Sequence, residues 1–453
     1  MHLPRLLAAL FLAVLPIAEA AERPNIIFIL ADDLGYGDLG CFGQLRIKTP
    51  HLDLLAREGV RFTQAYAGST VCAPSRACLM TGRHTGHGHI RGNRELRAPQ
   101  DGEFFGQIPL PEGTPTVARV LQQAGYATAL CGKWGLGAQD TTGHPLRQGF
   151  DHSFGYLCQR HAHTYYTDHL WRGTERVPLD GKTWSHDLIA ADALEWIRQP
   201  REKPFFLYLA FTTPHARLEV PDLTPYAGEA WPESEKRFAA MITRMDHDIG
   251  RVMAALKEKG LDEKTLVMFA SDNGAMDSNS QKGYGGPHTP GFFNSSGPLR
   301  GAKRDLYEGG IRTPAIARWP GRIAPAQVKD TPWAFWDILP TVAELAGAPV
   351  PIEINGISIV PTLLRNEALP ERPFYWEFHE RGFGQAVRKG SWKAVRLGTG
   401  GRTELYDLLA DIAEARDVAD KHPDAVTELE GLFTSLRAPT DLWVPRDKPR
   451  TVR

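Results

Sequence analysis

The stretch Pro24-Asn25-Ile26-Ile27-Phe28-Ile29-Leu30-Ala31 is an unbroken apolar run rich in β-branched residues, and it stops at Asp32-Asp33. A strand with one wet face alternates polar and apolar positions, so a continuous run predicts a strand buried on both faces, as in a parallel sheet covered by helices. The pattern returns at residues 126–131, 205–211 and 265–270. Helical periodicity fills residues 49–58, 114–124, 185–198 and 234–259. This alternation predicts the α/β class, with a large, mostly parallel sheet sandwiched by helices.

The residues just past these runs are polar. Asp32-Asp33, Lys133, His215 and Asp272-Asn273 each follow a predicted strand at its carboxyl end. In open α/β sheets that edge is where ligands bind. Four separated segments are therefore expected to meet at one crevice.

Beyond about Pro361 the pattern changes. Residues 373–378, 384–387 and 392–397 read as short antiparallel strands, and 411–436 as largely helical with a break at Pro423. This predicts a smaller C-terminal α+β subdomain over 361–453, after a main domain over 21–360. Residues 283–301, rich in Gly, Pro, Ser and Asn, read as a long loop.

Residues 1–20 read as an export signal, with Arg5 before an apolar run over 6–17 and Ala18-Glu19-Ala20 as a cleavage site. That run contains Pro16 and is short for a membrane span, and no later stretch is long and apolar enough for one. The expected location is periplasmic or secreted. There disulfides can persist, yet five cysteines (41, 72, 78, 131 and 158) leave at least one over. The 453 residues are 42% hydrophobic with a formal net charge of -1, so no global field favours nucleic acid or an anionic membrane. Any anion has to be recognised locally.

The most specific string is Cys72-Ala73-Pro74-Ser75-Arg76, continued by Leu79-Met80-Thr81-Gly82-Arg83. It resembles the C-x-P-S-R and L-x-T-G-R signature of the type I sulfatases, the formylglycine-dependent, arylsulfatase-like branch of the alkaline phosphatase superfamily. PNIIFILADDLGYGD at 24–38, FASDNG at 269–274, LYEGGIRTP at 306–314 and ELYDL at 404–408 extend the resemblance over nearly the whole chain.

The resemblance implies an alkaline-phosphatase-like fold and hydrolysis of sulfate monoesters, on sulfated carbohydrates above all. It implies that a maturation enzyme converts Cys72 to formylglycine. A hydrated aldehyde carries two hydroxyls on one carbon, so one can attack sulfur and the other can later expel sulfate. Asp32, Asp33, Asp272 and Asn273, with residue 72, are implied metal ligands. The four side chains offer hard oxygens only, which suit one calcium ion. Arg76 is implied to hold residue 72 and a ligand aspartate. Lys133, His215 and Lys303 are implied to bind sulfate and protonate the leaving oxygen.

One position departs from the family pattern. Gly132-Lys133-Trp134-Gly135-Leu136-Gly137 carries glycine where members commonly have histidine. Substitutes for that side chain are the cluster His84/His87/His89 or the segment Arg160-His161-Ala162-His163, of which His163 is also a candidate substrate contact. The mixture of aromatic, His and Arg residues over 157–171 suits stacking on sugar rings or an ordinary packed loop. Two other readings stay open on sequence alone: a phosphonate monoester hydrolase or phosphodiesterase of the same superfamily, and a catalytically silent glycan-binding homologue.

Overall fold

A computed structural model describes residues 23–96, 106–276 and 288–447; the expected export signal, the first part of the 283–301 loop and the last six residues lie outside them. The strands are β1 (Asn25–Ala31), β2 (Val60–Phe62), β3 (Ala65–Tyr66), β4 (Ala127–Lys133), β5 (His152–Tyr156), β6 (His169–Arg172), β7 (Glu175–Pro178), β8 (Phe205–Ala210), β9 (Thr265–Ser271), β10 (Ala315–Arg318), β11 (Gln327–Lys329), β12 (Trp333–Ala334), β13 (Phe374–Phe378), β14 (Gly384–Lys389), β15 (Trp392–Leu397) and β16 (Thr403–Asp407). Among the described residues a ten-stranded sheet runs β11-β2-β10-β9-β1-β8-β4-β5-β6-β7. Its centre, β9-β1-β8-β4-β5, is parallel throughout.

Every residue of β1 is buried, because the pleat sends successive side chains to opposite covered faces. Ile27, Ile29 and Ala31 enter one core with α1 (Pro50–Arg57) and the helices Ser185–Arg198 and Glu233–Glu258. Ile26, Phe28 and Leu30 enter the other, packed with α2 (Cys72–Thr81) and the helices Val117–Gln123 and Ile338–Ala346. The unbroken apolar run is thus the signature of a two-sided sandwich.

Strand register places the chemistry. Ala31 pairs with Ser271, so Asp32 and Asp272 leave the sheet side by side, with the Asp272 N–H donating to Ala31 O at 3.0 Å. The Asp32 N–H donates to Thr213 O at 3.1 Å, which brings the segment after β8 to the same edge.

The C-terminal sheet is antiparallel in the order β13-β14-β15-β16. The helix expected over 411–436 is shorter, Pro423–Ser435. Proline favours the first helical turn, where its missing N–H costs nothing, so Pro423 starts the helix instead of breaking one. Glu308, from the 306–314 segment, accepts from Lys393 Nζ at 2.9 Å, Arg312 Nη1 at 3.1 Å and Tyr66 Oη at 2.7 Å, all buried. That segment ties the small sheet to the main one. All five cysteines are free thiols.

Candidate active site

Cys72 begins α2, a helix whose ten residues are all buried, and Gly82 closes it in a left-handed conformation. Arg76 lies one helical turn on, over the carboxyl edge of the sheet. Its Nε and Nη2 reach Asp272 Oδ2 at 3.0 and 2.9 Å, Nη2 is 3.5 Å from Asp32 Oδ2, and Nη1 donates to Lys133 O at 2.7 Å. The Cys72 thiol donates to Asp32 Oδ1 at 3.4 Å, and Lys133 Nζ lies 2.5 Å from Asp32 Oδ2.

A second group converges from the opposite side. Lys303 Nζ lies 2.7 Å from Asp33 Oδ2, 3.5 Å from Cys72 Sγ and 3.1 Å from His215 Nε2. His215 Nδ1 is 2.5 Å from Ala216 O, so Nδ1 carries the proton and Nε2 accepts from Lys303. His163 stacks on His215, ring centroids 4.2 Å apart and planes 13° from parallel. Asn273 Nδ2 donates to Asp33 Oδ1 at 2.8 Å.

The electrostatics follow from burial and close charges. Burial raises the Asp272 carboxyl to about 6, helped by Asp32 and opposed by Arg76 and Lys133. Burial would raise Asp32 too, but the charges of Lys133, Arg76 and Lys303 hold it well below the usual carboxylate range. Burial and then the Lys303 charge push His215 well down, which keeps it neutral. Burial and Asp32 push the Cys72 thiol up. Asp32, Asp33 and Asp272 face Lys133, Lys303 and Arg76, three carboxylates against three cations with almost no solvent between them.

A family model described as Sulfatase matches residues 24–348, more than half of the chain. The chain belongs to the sulfatase family. A second family model, N-sulphoglucosamine sulphohydrolase, C-terminal, matches residues 301–437. This sulfatase is 34% identical to steryl-sulfatase of Mus musculus over 84% of this chain and 72% of that protein. It is 35% identical to N-acetylgalactosamine-6-sulfatase of Canis lupus familiaris over 86% of this chain and 75% of that one. Among solved structures, Ps i-CgsB in complex with k-i-k-neocarrahexaose superposes with a TM-score of 0.78 at 29% identity, covering 92% of this chain and 94% of that one. This sulfatase is a sulfuric ester hydrolase.

The side chains singled out from sequence, Asp32, Asp33, Cys72, Arg76, Lys133, His163, His215, Asp272, Asn273 and Lys303, lie in one cluster. Its oxygens fit a hard divalent ion. Donor atoms of Asp32, Asp33, Cys72 and His215 come within 4.8 Å of one another, and Asn273 Oδ1 is buried with no hydrogen-bond partner among the described residues. A buried amide oxygen beside three carboxylates is the donor set a hard divalent ion takes.

His84 and His87 stay outside the cluster. They stack on each other with centroids 4.7 Å apart, and His84 packs on Trp336 and Tyr375. Within the 157–171 stretch Gln159 has no signal of its own, since a glutamine inside a mixed polar loop carries none. Its amide occupies the space beside Gly135.

Proposed function

We propose that this sulfatase hydrolyses sulfate monoesters on sulfated carbohydrates, using a formylglycine made from Cys72 beside one calcium ion. The position of Cys72 carries the reading: its Sγ stands 3.4 Å from Asp32 Oδ1 and 3.5 Å from Lys303 Nζ, between the oxygen donors and the cations. As a thiol this residue is poorly suited to catalysis. Nucleophilic cysteines are made by lowering the thiol pKa, and here burial and Asp32 raise it.

The aldehyde hydrate supplies an oxygen nucleophile, and the calcium ion supplies a Lewis acid that neutralises sulfate oxygens. Asp32, Asp33, Asp272 and Asn273 hold the ion, and Arg76 fixes Asp272 through Nε and Nη2. Lys133 and Lys303 put ammonium groups where sulfate charge collects. His215 and Lys303, joined at 3.1 Å, keep a proton between Nε2 and Nζ for the leaving oxygen. His163, against the His215 ring, extends the substrate-binding wall formed with Lys133, His215 and Lys303.

The carbohydrate class draws support from relatives named for an N-acetylgalactosamine sulfate and from the neocarrahexaose complex. Residues 1–20 act as an export signal, which places the enzyme in the periplasm or outside the cell. No helix among the described residues is long and apolar enough to cross a membrane. The main domain runs over 21–360 and the small one over 361–453, and conversion of Cys72 calls for a maturation enzyme.

Mass spectrometry of the peptide spanning Cys72, from enzyme made in its native host, is the test. Formylglycine makes the residue roughly 18 Da lighter than cysteine. The shifted mass is expected together with calcium-dependent turnover of defined sulfated saccharides, and with weaker turnover of aryl phosphonates. An unshifted peptide in fully active enzyme would defeat the proposal.

A further inference from the structure

Gly135 is two residues past Lys133, at the edge of the sheet where the cluster lies, and with Gln159 in place no side chain fits on it. Its φ is +77°, and a Cβ built there would stand 2.0 Å from Gln159 Nε2 and 2.6 Å from Gln159 Cδ. The amide of Gln159 therefore fills the volume into which a side chain at 135 would project. The backbone fixes this arrangement, because the Gly135 N–H donates to Leu157 O at 3.1 Å and the Gln159 N–H donates to Gln107 Oε1 at 2.9 Å. Four residues further along, the same segment lays His163 against His215. The segment thus borders the cluster from Lys133 to His215.

Gln159 is 5% exposed, and among the described residues neither Nε2 nor Oε1 has a hydrogen-bond partner. Buried amides are nearly always paired, and one with both ends open is costly unless something else completes it. The N–H groups suit a sulfate oxygen, and the carbonyl suits a hydroxyl of the sugar that carries the sulfate. We propose that Gln159 is a sulfate-binding residue of this enzyme, its amide standing in for a side chain at position 135. This rests on the reading of the Cys72 cluster as the sulfate site.

The test is titration of the calcium-loaded enzyme with inorganic sulfate by calorimetry, alongside KM, kcat and melting temperature, for the unsubstituted enzyme, Gln159→Leu and Gln159→Glu. Gln159→Leu keeps the volume and removes the amide. It is expected to weaken sulfate binding tenfold or more and to raise KM, with a melting temperature unchanged or higher. Gln159→Glu keeps the shape and swaps donors for negative charge, so it should lose more. Sulfate affinity within twofold of the unsubstituted enzyme in either folded variant would overturn the proposal and leave Gln159 as an amide completed by water alone. An unsubstituted enzyme that turns over ester but binds no sulfate at the cluster would instead remove the reading beneath it.

Discussion

Lys303 Nζ sits 2.6 Å from Oδ1 and 2.7 Å from Oδ2 of Asp33, so one ammonium straddles a whole carboxylate that also belongs to the candidate ligand set. Under the proposed function Asp33 would divide its charge between a fixed cation and an exchangeable one. On that reading Lys303→Ala removes the competitor and the proton donor together. Calcium should bind about tenfold more tightly while kcat falls by roughly two to four orders of magnitude, the usual worth of a positioned acid. Calcium titration and steady-state rates on the same preparation separate the two effects. Weaker calcium binding would mean that Lys303 helps to build the ion site.

Cys72→Ala should abolish multiple turnover and leave the fold intact. The side chain is small and 2% exposed, so its loss costs about 1 kcal/mol of packing. Loss of the nucleophile costs several kcal/mol of barrier lowering. Retained multiple-turnover activity with an unchanged circular dichroism spectrum would refute the assignment of residue 72.

Arg76 is buried among Asp272, Asp32 and Lys133 O, and its guanidinium offsets charge that has no access to water. Removing one partner of a buried pair strands the other, typically at about 3–5 kcal/mol. Arg76→Ala should therefore lower the melting temperature as well as the rate. Arg76→Lys should recover part of the stability but not the two-point grip on Asp272. Thermal melts with excess calcium distinguish this from simple loss of the ion.

Acid should loosen the attachment of the C-terminal sheet. Burial alone would raise Glu377, but His379, Arg91 and Arg437 outweigh it and hold the carboxyl at about 2, below its ordinary 4.5. A depressed carboxyl contributes fully above the unfolded value and loses that contribution as pH falls from about 4.5 through about 2. The contribution is on the order of 3 kcal/mol at neutral pH. Glu377→Gln should melt lower at pH 7 and lose stability less steeply across that acid window. Parallel pH profiles for the two proteins would count against it.

What the sequence shows clearly is whatever has a local signature. The apolar run of β1 and the polar residues at strand ends announced the sheet and its reactive edge, because burial on two faces and a change of polarity are both written within a dozen residues. The partners of Glu377 and Glu308 were invisible. Arg91 is 286 positions from Glu377 and Lys393 is 85 from Glu308, and each partner alone reads as a solvated charge. Gln159 is hidden in the sequence for the same reason. Its significance lies in the absence of a side chain at Gly135, and the two are neighbours only because β5 runs beside β4. Where the His84/His87/His89 cluster and the 160–163 segment lie also needed three dimensions, since His84 and His87 stack on each other while His163 stacks on His215.

The first residue of α2 is sealed at 2% exposure beneath groups drawn from six distant segments. Once those segments close, no second protein has room to reach its sulfur. Under the proposed chemistry, oxidation of that thiol becomes a race against collapse of the newly made chain, and any molecule that folds first is a stable, well-shaped dead end. The active fraction of a preparation would then report the timing of biosynthesis, and refolding without the maturation enzyme would not raise it.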